Sequence, residues 1–574
     1  MVFRWSLQRM CGIGGAVGID DSQRELKEII KQVCQNLHHR GPDDQGYFIG
    51  PGIALGSTRL SIRGLPLGKQ PMTSNKVWIV FNGEIYNTET LRNKIHCNQW
   101  KTDSDTEVIL KGYIQYGSAI FKELAGMFAF AIWDEPKATL FLVRDRWGEK
   151  PLYYAKISHG LVFASELTGL KPWKDLSWEV SLPNILAFLK WSYVPTPCSG
   201  WKDVLQLKPG YYLKWHHKTF ELKRYYSPHL EVKHREVDEL RDLIGSCVKQ
   251  CSVSDQPIGA FLSGGIDSSL VVTYLQKCIP TFPVYSIDFE DKTYSEKKYS
   301  TTLCKKLGLK HILIKCDERF LAKHFDTIVS CYGEPFADES MVPTFCLAKR
   351  AKEDVDVVLT GDGADEFFHG YERYFFNHPS ACYSDVFSSM DLLTRNFVLV
   401  KEMQTIVATP RLDFLKEWKS GNVHPYRARS FDDIQNYLVD DILTKLDRAT
   451  MHVGLEARAP FLMPEITHVA LNLPIKQLIE NKKRGKWILR QAAEGLVPPA
   501  IINRKKQGFG VPLGNWFSGI LKDWMRERLL SGVLTELKFF SLSGLEKLSQ
   551  NPHGHSRAIF NLLVLESWWR KNIY

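Results

Sequence analysis

The sequence predicts two domains: a β-rich α+β domain, followed by an α/β domain that becomes mostly helical after about Tyr383. The chain has 574 residues, which is more than one hydrophobic core usually serves. From Cys11 to about Tyr226, short apolar segments alternate with turn residues. From about Glu231, long helical stretches alternate with strands, as in a parallel sheet with crossover helices. The polar segment 227–235 is the predicted linker.

Composition and charge are those of an ordinary globular protein. Hydrophobic residues make up 44% of the chain and charged residues 24%. The net charge of +10 is small for this length and spread along the sequence, so no nucleic-acid partner is predicted. The 12 cysteines include no C-x-x-C pair, which indicates a reducing compartment and no zinc site.

No membrane span or secretion signal is predicted. The longest apolar run, 124–133, is about half of the roughly 20 residues that a membrane helix needs. Arg4 and Arg9 precede an uncharged run that ends at Ile19, which imitates a signal peptide in outline. That run is glycine-rich and no A-x-A cleavage site follows it. We therefore expect a cytoplasmic protein without a membrane partner.

Five short apolar runs predict that the first domain is rich in β-strands. They span residues 53–55, 77–81, 128–132, 140–143 and 161–164. These lengths suit strands, and Asn82-Gly83 and His159-Gly160 are typical turn signals.

The second domain contains the most informative segment, the heptad S-G-G-I-D-S-S from Ser263 to Ser269. It follows the apolar run 258–262, and a helix is predicted to open at Ser268. Such a loop aims backbone N–H groups, hydroxyls and a helix N-terminus at one anion. It lacks the lysine of the G-x-x-x-x-G-K-[ST] pattern and carries Asp267, a natural ligand for Mg²⁺ on phosphates. The loop therefore predicts ATP binding for adenylation rather than phosphate transfer.

A second acidic turn is predicted at the same edge of the sheet. The buried strands 281–287 and 356–360 are predicted from their apolar runs, and the second leads into the turn G-D-G-A-D-E at Gly361 to Glu366. In open parallel sheets ligands lie at the carboxyl ends of the strands. We therefore expect Asp267 and Asp365 to hold Mg²⁺ on the pyrophosphate, although acidic turns are more often solvated loops.

Cys11 begins the segment C-G-I-G-G-A-V-G, in which a cysteine is by itself more often a core residue than a nucleophile. Four motifs follow it: R-G-P-D-D at Arg40, R-L-S-I at Arg59, N-G-E-I-Y-N at Asn82 and S-D-T-E at Ser104. Together they resemble the glutaminase domain of class II amidotransferases, an N-terminal-nucleophile hydrolase of αββα layers. The resemblance implies that the Cys11 thiolate attacks the side-chain amide of glutamine, with its own α-amine as base.

The same resemblance implies a glutamine pocket. Arg59 grips the α-carboxylate of glutamine and Asp105 pairs with its α-ammonium. Asn82 and Gly83 form the oxyanion hole, and Glu84 lines the pocket. The alternative is that Asn82-Gly83 is only a hairpin turn and Arg59 part of a surface ion pair.

Ten residues precede Cys11, whereas this chemistry needs a free α-amine on the cysteine. We expect translation to start at Met10, with the methionine then trimmed; removal of a ten-residue propeptide is the alternative. If neither happens, the protein would depend on free ammonia.

Four later motifs complete a second resemblance. They are D-D-I-L-T-K-L-D-R-A-T-M at Asp440, L-E-A-R-A-P-F-L at Leu455, G-K-W-I-L-R at Gly485 and R-K-K-Q-G-F at Arg504. In this order they resemble glutamine-hydrolysing asparagine synthetase, from Cys11 to Trp516. The implied domains are 11–226, the class II glutamine amidotransferase, and 236–574, the pyrophosphate-loop synthetase, which is an adenine-nucleotide α-hydrolase-like domain.

The second resemblance assigns residues of the synthetase site. ATP would contact Leu262, Ser263, Gly264, Gly265, Asp267, Ser268, Ser269, Ile287, Thr360 and Gly361. Lys486 would neutralise charge on the α-phosphate and pyrophosphate. Asp362 would act in the β-aspartyl-AMP step as base for the incoming ammonia. The substrates implied are glutamine, aspartate and ATP, with a dry passage for ammonia between the sites, and the family suggests a homodimer.

Three positions depart from the family pattern. His369 replaces a glycine of F-G-G-Y, Asp288 stands where glycine is usual, and Met463 replaces the aspartate after P-F-L. They leave open another carboxylate acceptor, such as a surface-polysaccharide uronic acid or a peptide. Cys11 argues against a β-lactam-forming relative, and the full set of functional side chains argues against a non-catalytic binding protein. The basic clusters 482–484 and 504–506 are interpreted as solvated loops, with a few residues turned to phosphate.

Overall fold

The computed structural model describes residues 11–19, 22–41, 43–59, 68–97, 99–158, 160–375, 390–411, 424–481, 484–506 and 508–573. Its strands, numbered in chain order, are β1 Gly12–Val17, β2 Asp44–Gly50, β3 Ile53–Arg59, β4 Met72–Ser74, β5 Val77–Ile85, β6 Gly126–Asp134, β7 Thr139–Arg144, β8 Tyr153–Lys156, β9 Leu161–Ala164, β10 Val204–Gln206, β11 Tyr211–His216, β12 Thr219–Arg224, β13 Ile258–Phe261, β14 Pro283–Asp288, β15 Lys310–Lys315, β16 Val357–Leu359, β17 Glu456–Arg458, β18 Ile479–Glu480 and β19 Arg484–Gly485.

The α-helices of the same ranges are Gln23–Asn36, Thr88–Lys94, Asp105–Tyr116, Leu167–Leu170, Leu182–Trp191, Val237–Cys251, Ile266–Cys278, Lys297–Leu307, Glu318–Tyr332, Met341–Ala351, Ala364–Phe367, Leu392–Val398, Lys401–Gln404, Pro425–Gln435, Thr444–His452, Pro464–Asn472, Ile475–Leu478, Trp487–Ala493, Pro499–Ile502, Leu513–Ser518, Lys522–Ser531, Leu542–Gln550 and Pro552–Asn572. Short 3₁₀ turns lie at His38–Arg40, Gly117–Glu123, Glu372–Phe375, Pro460–Leu462 and Val533–Thr535, and a π-helical turn at Leu438–Leu443.

The first domain is a sandwich of two antiparallel sheets. Their strand orders are β10-β8-β9-β1-β3-β2 and β12-β11-β7-β6-β5-β4. Ile13 and Leu55 of one sheet share a fully buried core with Val80 and Leu142 of the other. The helix Gln23–Asn36 contacts the first sheet and the helix Asp105–Tyr116 the second, which gives the expected αββα layers.

The apolar runs of this domain are confirmed as strands, but the turn predicted at Asn82-Gly83 is wrong. Both residues lie inside β5, where Asn82 pairs with Ala129 and Gly83 with Phe128 of β6. Gly83 has φ +145, and a Cβ there would collide with the Met127 carbonyl oxygen. The glycine therefore serves a close approach of two strands. His159 lies outside the described residues.

The second domain is built on a parallel sheet of order β15-β14-β13-β16-β17. The strands predicted at 258–262, 281–287 and 356–360 correspond to β13, β14 and β16. The helix after β13 begins at Ile266, two residues before its predicted start. Because β13 and β16 are neighbours, the loops that follow them meet: a Cβ on Gly361 would lie 2.7 Å from Ser268 N. Beyond residue 390 the described chain is mainly helical.

The two halves of the chain share a hydrophobic cluster. Trp201 of the first domain packs on Trp568 of the C-terminal helix, with ring centroids 5.3 Å apart. Ser192 Oγ donates to Asn561 Oδ1 at 3.2 Å in the same region. No helix of the described residues is both long enough and apolar enough to cross a membrane.

Candidate active sites

Cys11 lies at the start of β1, in register with the end of β3. Gly12 pairs with Thr58 in the antiparallel ladder, so Cys11 falls opposite Arg59. The cysteine is half-buried, and its carbonyl oxygen accepts a hydrogen bond from Arg40 Nε at 3.3 Å. Residues 1–10 lie outside the described part of the chain.

Arg59 lies opposite Cys11 in the ladder, and its guanidinium lies near the cap of the helix that begins at Asp105. A Cβ on Gly68 would be 2.7 Å from Arg59 Nη2 and 3.4 Å from Ser104 Oγ, the cap of the next helix. Asp105 is the first residue of that helix, and its Oδ2 accepts from Ile85 N at 3.1 Å. Both charged side chains are only 7% exposed. A buried cation and a buried anion in this region of the domain suit the two ends of an α-amino acid.

Asn82 supplies an unused hydrogen-bond donor. Its side chain is 2% exposed, and Nδ2 has no hydrogen-bond partner among the described residues. A buried donor without a partner is costly. The atom is therefore available to a ligand, and it fits an oxyanion hole.

Buried ion pairs tie this site to the second domain. Arg40, whose Nε holds the Cys11 carbonyl, donates from both terminal nitrogens to Asp447, at 3.0 and 3.1 Å. Arg458 Nη2 lies 3.4 Å from Glu84 Oε2. Asp447 belongs to the helix Thr444–His452 of the second domain. The strands around Cys11 and Glu84 are thereby fixed to elements of the second domain.

A cavity of about 520 Å³ opens at the carboxyl ends of β13, β14 and β16. Of the residues predicted for this site, those on its wall are Leu262, Ser263, Gly265, Asp267, Ser268, Ile287, Thr360, Gly361, Asp362, Asp365 and Lys486. Gly264 and Ser269 are not on the wall. The Gly264 carbonyl instead accepts from Arg504 Nη1 at 3.0 Å, and Ser269 is fully buried.

Four alternating charges form a chain along one side of the cavity. Lys486 Nζ lies 2.5 Å from Asp267 Oδ2 and 2.6 Å from Asp365 Oδ1, and Lys506 Nζ lies 2.6 Å from Asp365 Oδ2. Burial raises the pKa of Asp267, against the effect of Lys486. Burial also raises the pKa of Asp365. The positive charges of Lys486 and Lys506 outweigh this effect and hold the pKa of Asp365 below its ordinary value.

The donor set fits Mg²⁺ carried by a nucleotide. Asp267 Oδ1 is buried and has no hydrogen-bond partner among the described residues. Within those residues no group of three or more His, Cys, Asp or Glu side chains could hold a metal by itself. Mg²⁺ is usually held by one or two carboxylates together with substrate phosphates and water. Two carboxylates at the end of a nucleotide cavity meet that requirement.

The sequence interpretation of the cluster 504–506, a solvated loop with a few residues turned to phosphate, agrees with the positions of its three side chains. Lys506 lines the cavity beside Asp365, and Arg504 pairs with Glu296. Only Lys505, with its side chain 81% exposed, is solvated. Of the cluster 482–484, only Arg484 lies within the described residues.

Comparison with protein families matches residues 239–570 to asparagine synthase. The match covers more than half of the chain. The chain belongs to the asparagine synthase family. A second match assigns residues 10–226 to a glutamine amidotransferase domain.

Two curated relatives from Bacillus subtilis strain 168 support membership of the asparagine synthase family. Glutamine-hydrolysing asparagine synthetase 1 is 31% identical over 98% of this chain and 97% of its own length. Synthetase 3 of the same bacterium is 28% identical over 90% of this chain and 89% of its own. Among solved structures, glutamine phosphoribosylpyrophosphate amidotransferase from B. subtilis covers 53% of this chain and is itself covered to 81%, at 15% identity. Its TM-score of 0.30 is too low to support a conclusion.

The three departures from the asparagine synthase pattern are not themselves on the cavity wall. Asp288 accepts from Ser295 Oγ at 2.9 Å and Lys297 Nζ at 2.8 Å. Met463 is buried before the helix Pro464–Asn472. His369 is buried with φ +57. The departures therefore adjust supporting structure rather than the surface that meets the substrates.

His369 predicts an acid-sensitive step in folding stability. Neither ring nitrogen has a hydrogen-bond partner among the described residues, and burial lowers the pKa of His369 to about 3. The folded state therefore binds fewer protons than the unfolded state, and stability present above pH 6.5 is lost as the pH falls toward 3. Asparagine tolerates positive φ and does not titrate. Between pH 7.5 and pH 5, we expect the free energy of unfolding to fall by about 2 kcal/mol less in His369→Asn than in wild type.

Urea unfolding at the two pH values measures this difference. His324→Asn is the control, because the His324 ring is only partly buried, against Phe320. Equal losses for wild type and His369→Asn would show that the His369 ring is protonated or solvated in the folded state.

Proposed function

We propose that the chain is a glutamine-hydrolysing asparagine synthetase. Glutamine is hydrolysed to glutamate and ammonia in the first domain, 11–226. In the second domain, 236–574, the β-carboxylate of aspartate attacks the α-phosphorus of ATP and pyrophosphate leaves. Ammonia then attacks the β-aspartyl carbonyl carbon, loses a proton and displaces AMP, which gives asparagine.

The observation that carries the proposal is the chain of charges from Asp267 to Lys506. It lies beside the S-G-G-I-D-S-S loop, where an α-phosphate and pyrophosphate would develop charge during adenylation. Lys486 and Lys506 supply two ammonium groups inside a largely buried site, where electrostatic stabilisation is strong. When a nucleotide enters, these lysines can exchange their carboxylate partners for phosphate oxygens.

Mg²⁺ would be held by Asp267 and Asp365, and it would neutralise the phosphates and orient the leaving pyrophosphate. Asp362, on the same wall, is the proposed base for ammonia. Burial raises the pKa of Asp362. A raised pKa brings a carboxylate closer to the basicity that a proton acceptor needs near neutral pH.

In the first domain, we assign Cys11 as the nucleophile, with its free α-amine as base. Asn82 Nδ2 and the Gly83 N–H would stabilise the tetrahedral oxyanion, while Arg59 and Asp105 hold the α-carboxylate and α-ammonium of glutamine. Glu84 lines the same pocket and connects it to Arg458. A cytoplasmic location and a homodimer remain predictions from the sequence and the family.

Oxygen transfer tests the adenylation step. Aspartate labelled with ¹⁸O in its β-carboxylate should pass one labelled oxygen to AMP, because the carboxylate oxygen attached to phosphorus leaves with it. Mass spectrometry of AMP and orthophosphate measures the transfer. Label in orthophosphate, accompanied by ADP, would instead show phosphoryl transfer and contradict the proposal.

Asp447→Asn should loosen the coupling of the two sites. Among the described residues, the substitution leaves Arg40 with Glu166, at 2.5 Å, as its one charged partner, and it weakens the connection between Cys11 and the helix Thr444–His452. We expect more glutamate than asparagine to be released, and a loss of about 3 kcal/mol in the free energy of unfolding. The glutamate-to-asparagine ratio and urea unfolding are the measurements. Glu179→Gln, which removes an exposed ion pair with Lys202, is the control and should change neither quantity; an unchanged ratio in Asp447→Asn would remove the coupling role.

A further inference from the structure

The S-G-G-I-D-S-S loop, 263–269, is held by the side chain of Arg504. Arg504 Nη1 donates to the Gly264 carbonyl oxygen at 3.0 Å, and Nη2 donates to the Glu296 carboxylate. The guanidinium also lies over the Tyr299 ring, 4.5 Å from its centroid. A planar guanidinium can hold two acceptors in a fixed fork and stack on an aromatic face, whereas the ammonium of a lysine is a point charge. Arginine is therefore suited to this place.

The contact with Gly264 sets the direction of the next peptide group. Gly264 has φ +79 and is not on the cavity wall, and a Cβ there would lie 3.0 Å from Tyr299 Cβ. In a planar trans peptide bond, the Gly265 N–H points away from the Gly264 carbonyl. That N–H donates to Ser263 Oγ at 3.2 Å, and both residues line the cavity. By holding the carbonyl, Arg504 turns the Gly265 N–H toward the cavity side of the loop.

Glu296 is a largely buried anion on the cavity wall, next to this loop. Its side chain is 14% exposed, and its own carbonyl oxygen would lie 3.3 Å from a Cβ on Gly264. Burial raises the pKa of Glu296, and the charge of Arg504 opposes that effect. An unpaired carboxylate in this place would repel the phosphates of a nucleotide. The pairing with Arg504 neutralises that charge.

The same stretch of chain also holds the second loop of the site. Lys506 Nζ lies 2.6 Å from Asp365 Oδ2, in the turn 361–366 that follows β16. Arg504, two residues earlier, holds the loop that follows β13. These two basic residues therefore connect the loops between which a polyphosphate would lie.

We propose that Arg504 is a positioning residue of the adenylation reaction: it orients the S-G-G-I-D-S-S loop toward the phosphates by holding the Gly264 carbonyl, and it neutralises Glu296 beside them. The inference rests on the proposed function and extends it to a residue that acts through the loop. Both terminal nitrogens of Arg504 are engaged with protein acceptors. Its loss should weaken the binding of phosphate groups and leave the binding of the nucleoside unchanged.

Pyrophosphate and adenosine separate these two parts of the site. Pyrophosphate consists of phosphate groups alone, and adenosine carries none. Displacement of a fluorescent ATP analogue, with Mg²⁺ present, measures the dissociation constant of each compound without any turnover. KM for ATP in ammonium-dependent AMP release is the second readout. A substitution that only loosened the cavity would weaken both compounds alike.

Arg504→Met is expected to raise the dissociation constant of pyrophosphate, and KM for ATP, by about 10- to 100-fold. The reason is that the Gly264 carbonyl and the Glu296 carboxylate both lose a charged donor. The dissociation constant of adenosine should stay as in wild type. Arg504→Lys should restore part of the pyrophosphate affinity, because one ammonium group replaces one fork of donors.

Arg350→Met is the matched control. Arg350 pairs with a carboxylate, Asp354, at 2.7 Å, and its guanidinium lies over the Tyr285 ring, 6.0 Å from the centroid. It is not on the cavity wall. The substitution should change neither dissociation constant and should leave KM for ATP unchanged.

Two further variants divide the two roles of Arg504. Glu296→Gln removes the anion and keeps the contact with Gly264, so pyrophosphate should bind as in wild type. The double variant Arg504→Met/Glu296→Gln leaves no carboxylate unpaired at this position, which avoids the main cost to folding. It still lacks the donor to Gly264, so pyrophosphate should bind more weakly than in wild type and more tightly than in Arg504→Met.

Equal weakening of pyrophosphate and adenosine by Arg504→Met would overturn the inference, because the side chain would then support the cavity as a whole. Wild-type pyrophosphate affinity in the double variant would also overturn it. Tighter pyrophosphate binding by Glu296→Gln would show that a released Arg504 binds phosphate directly. If wild type releases no AMP with aspartate, the proposed function itself fails, whereas the displacement measurements still test the role of Arg504.

Discussion

Cys11→Ala, in a chain that begins at position 11, is expected to lower glutamine-dependent asparagine formation by about 1,000-fold or more. Ammonium-dependent formation should stay at the wild-type rate. The reason is that Cys11 lies in the first domain, at the start of β1, and is not on the wall of the synthetase cavity. Removing the thiol removes the nucleophile for glutamine but leaves adenylation and attack by free ammonia in place.

Asparagine formation with each nitrogen source measures this separation. Cys97→Ala is a matched control, since Cys97 is another half-buried cysteine of the first domain and has no assigned role. It should be active with both nitrogen sources. Retained glutamine-dependent activity in Cys11→Ala would contradict the assignment of the nucleophile.

Asp267→Asn is expected to lower AMP formation by about 100-fold or more with either nitrogen source. The amide keeps the shape of the side chain, and Lys486 keeps its ion pair with Asp365. What is lost is the charge of the carboxylate whose Oδ1 is free to meet a metal ion on the phosphates. Glutamine hydrolysis should continue, because Asp267 belongs to the helix Ile266–Cys278 of the second domain, whereas Cys11 precedes β1 of the first.

Pyrophosphate release at several Mg²⁺ concentrations measures the effect, and the variant should need more Mg²⁺ than wild type. Asp288→Asn is the control: Asp288 ends the neighbouring strand β14 but lies off the cavity wall. An Asp267→Asn variant with wild-type AMP formation would exclude the proposed metal and phosphate role.

Much of the fold could be predicted from local patterns, because the strands of both domains are short apolar runs that end in polar or glycine residues. The pair Asn82-Gly83 shows a limit of prediction from local patterns. The pair has high turn propensity, but β6 offers backbone partners through residue 126, and the longer ladder prevails over the local preference. The extension of β5 through this pair depends on its pairing with β6, which the neighbouring residues in the sequence do not indicate.

The residues of the candidate sites likewise divide into those that local sequence could predict and those that it could not. The loop at Ser263 and the turn at Gly361 could be predicted because each follows its own strand, and adjacent parallel strands bring their ends together. Lys506 could not be placed, because its position depends on an ion pair with Asp365, 141 residues earlier in the chain.

The most direct test of the central claim is the yield of AMP and asparagine from ATP, Mg²⁺ and aspartate, with ammonium or glutamine, for a chain that begins at Cys11. We predict equal amounts of AMP and asparagine from both nitrogen sources, and loss of the glutamine-dependent yield alone when residues 1–10 are retained. Glutamine hydrolysis without AMP or asparagine from aspartate would contradict the claim and show that the carboxylate acceptor is a different compound.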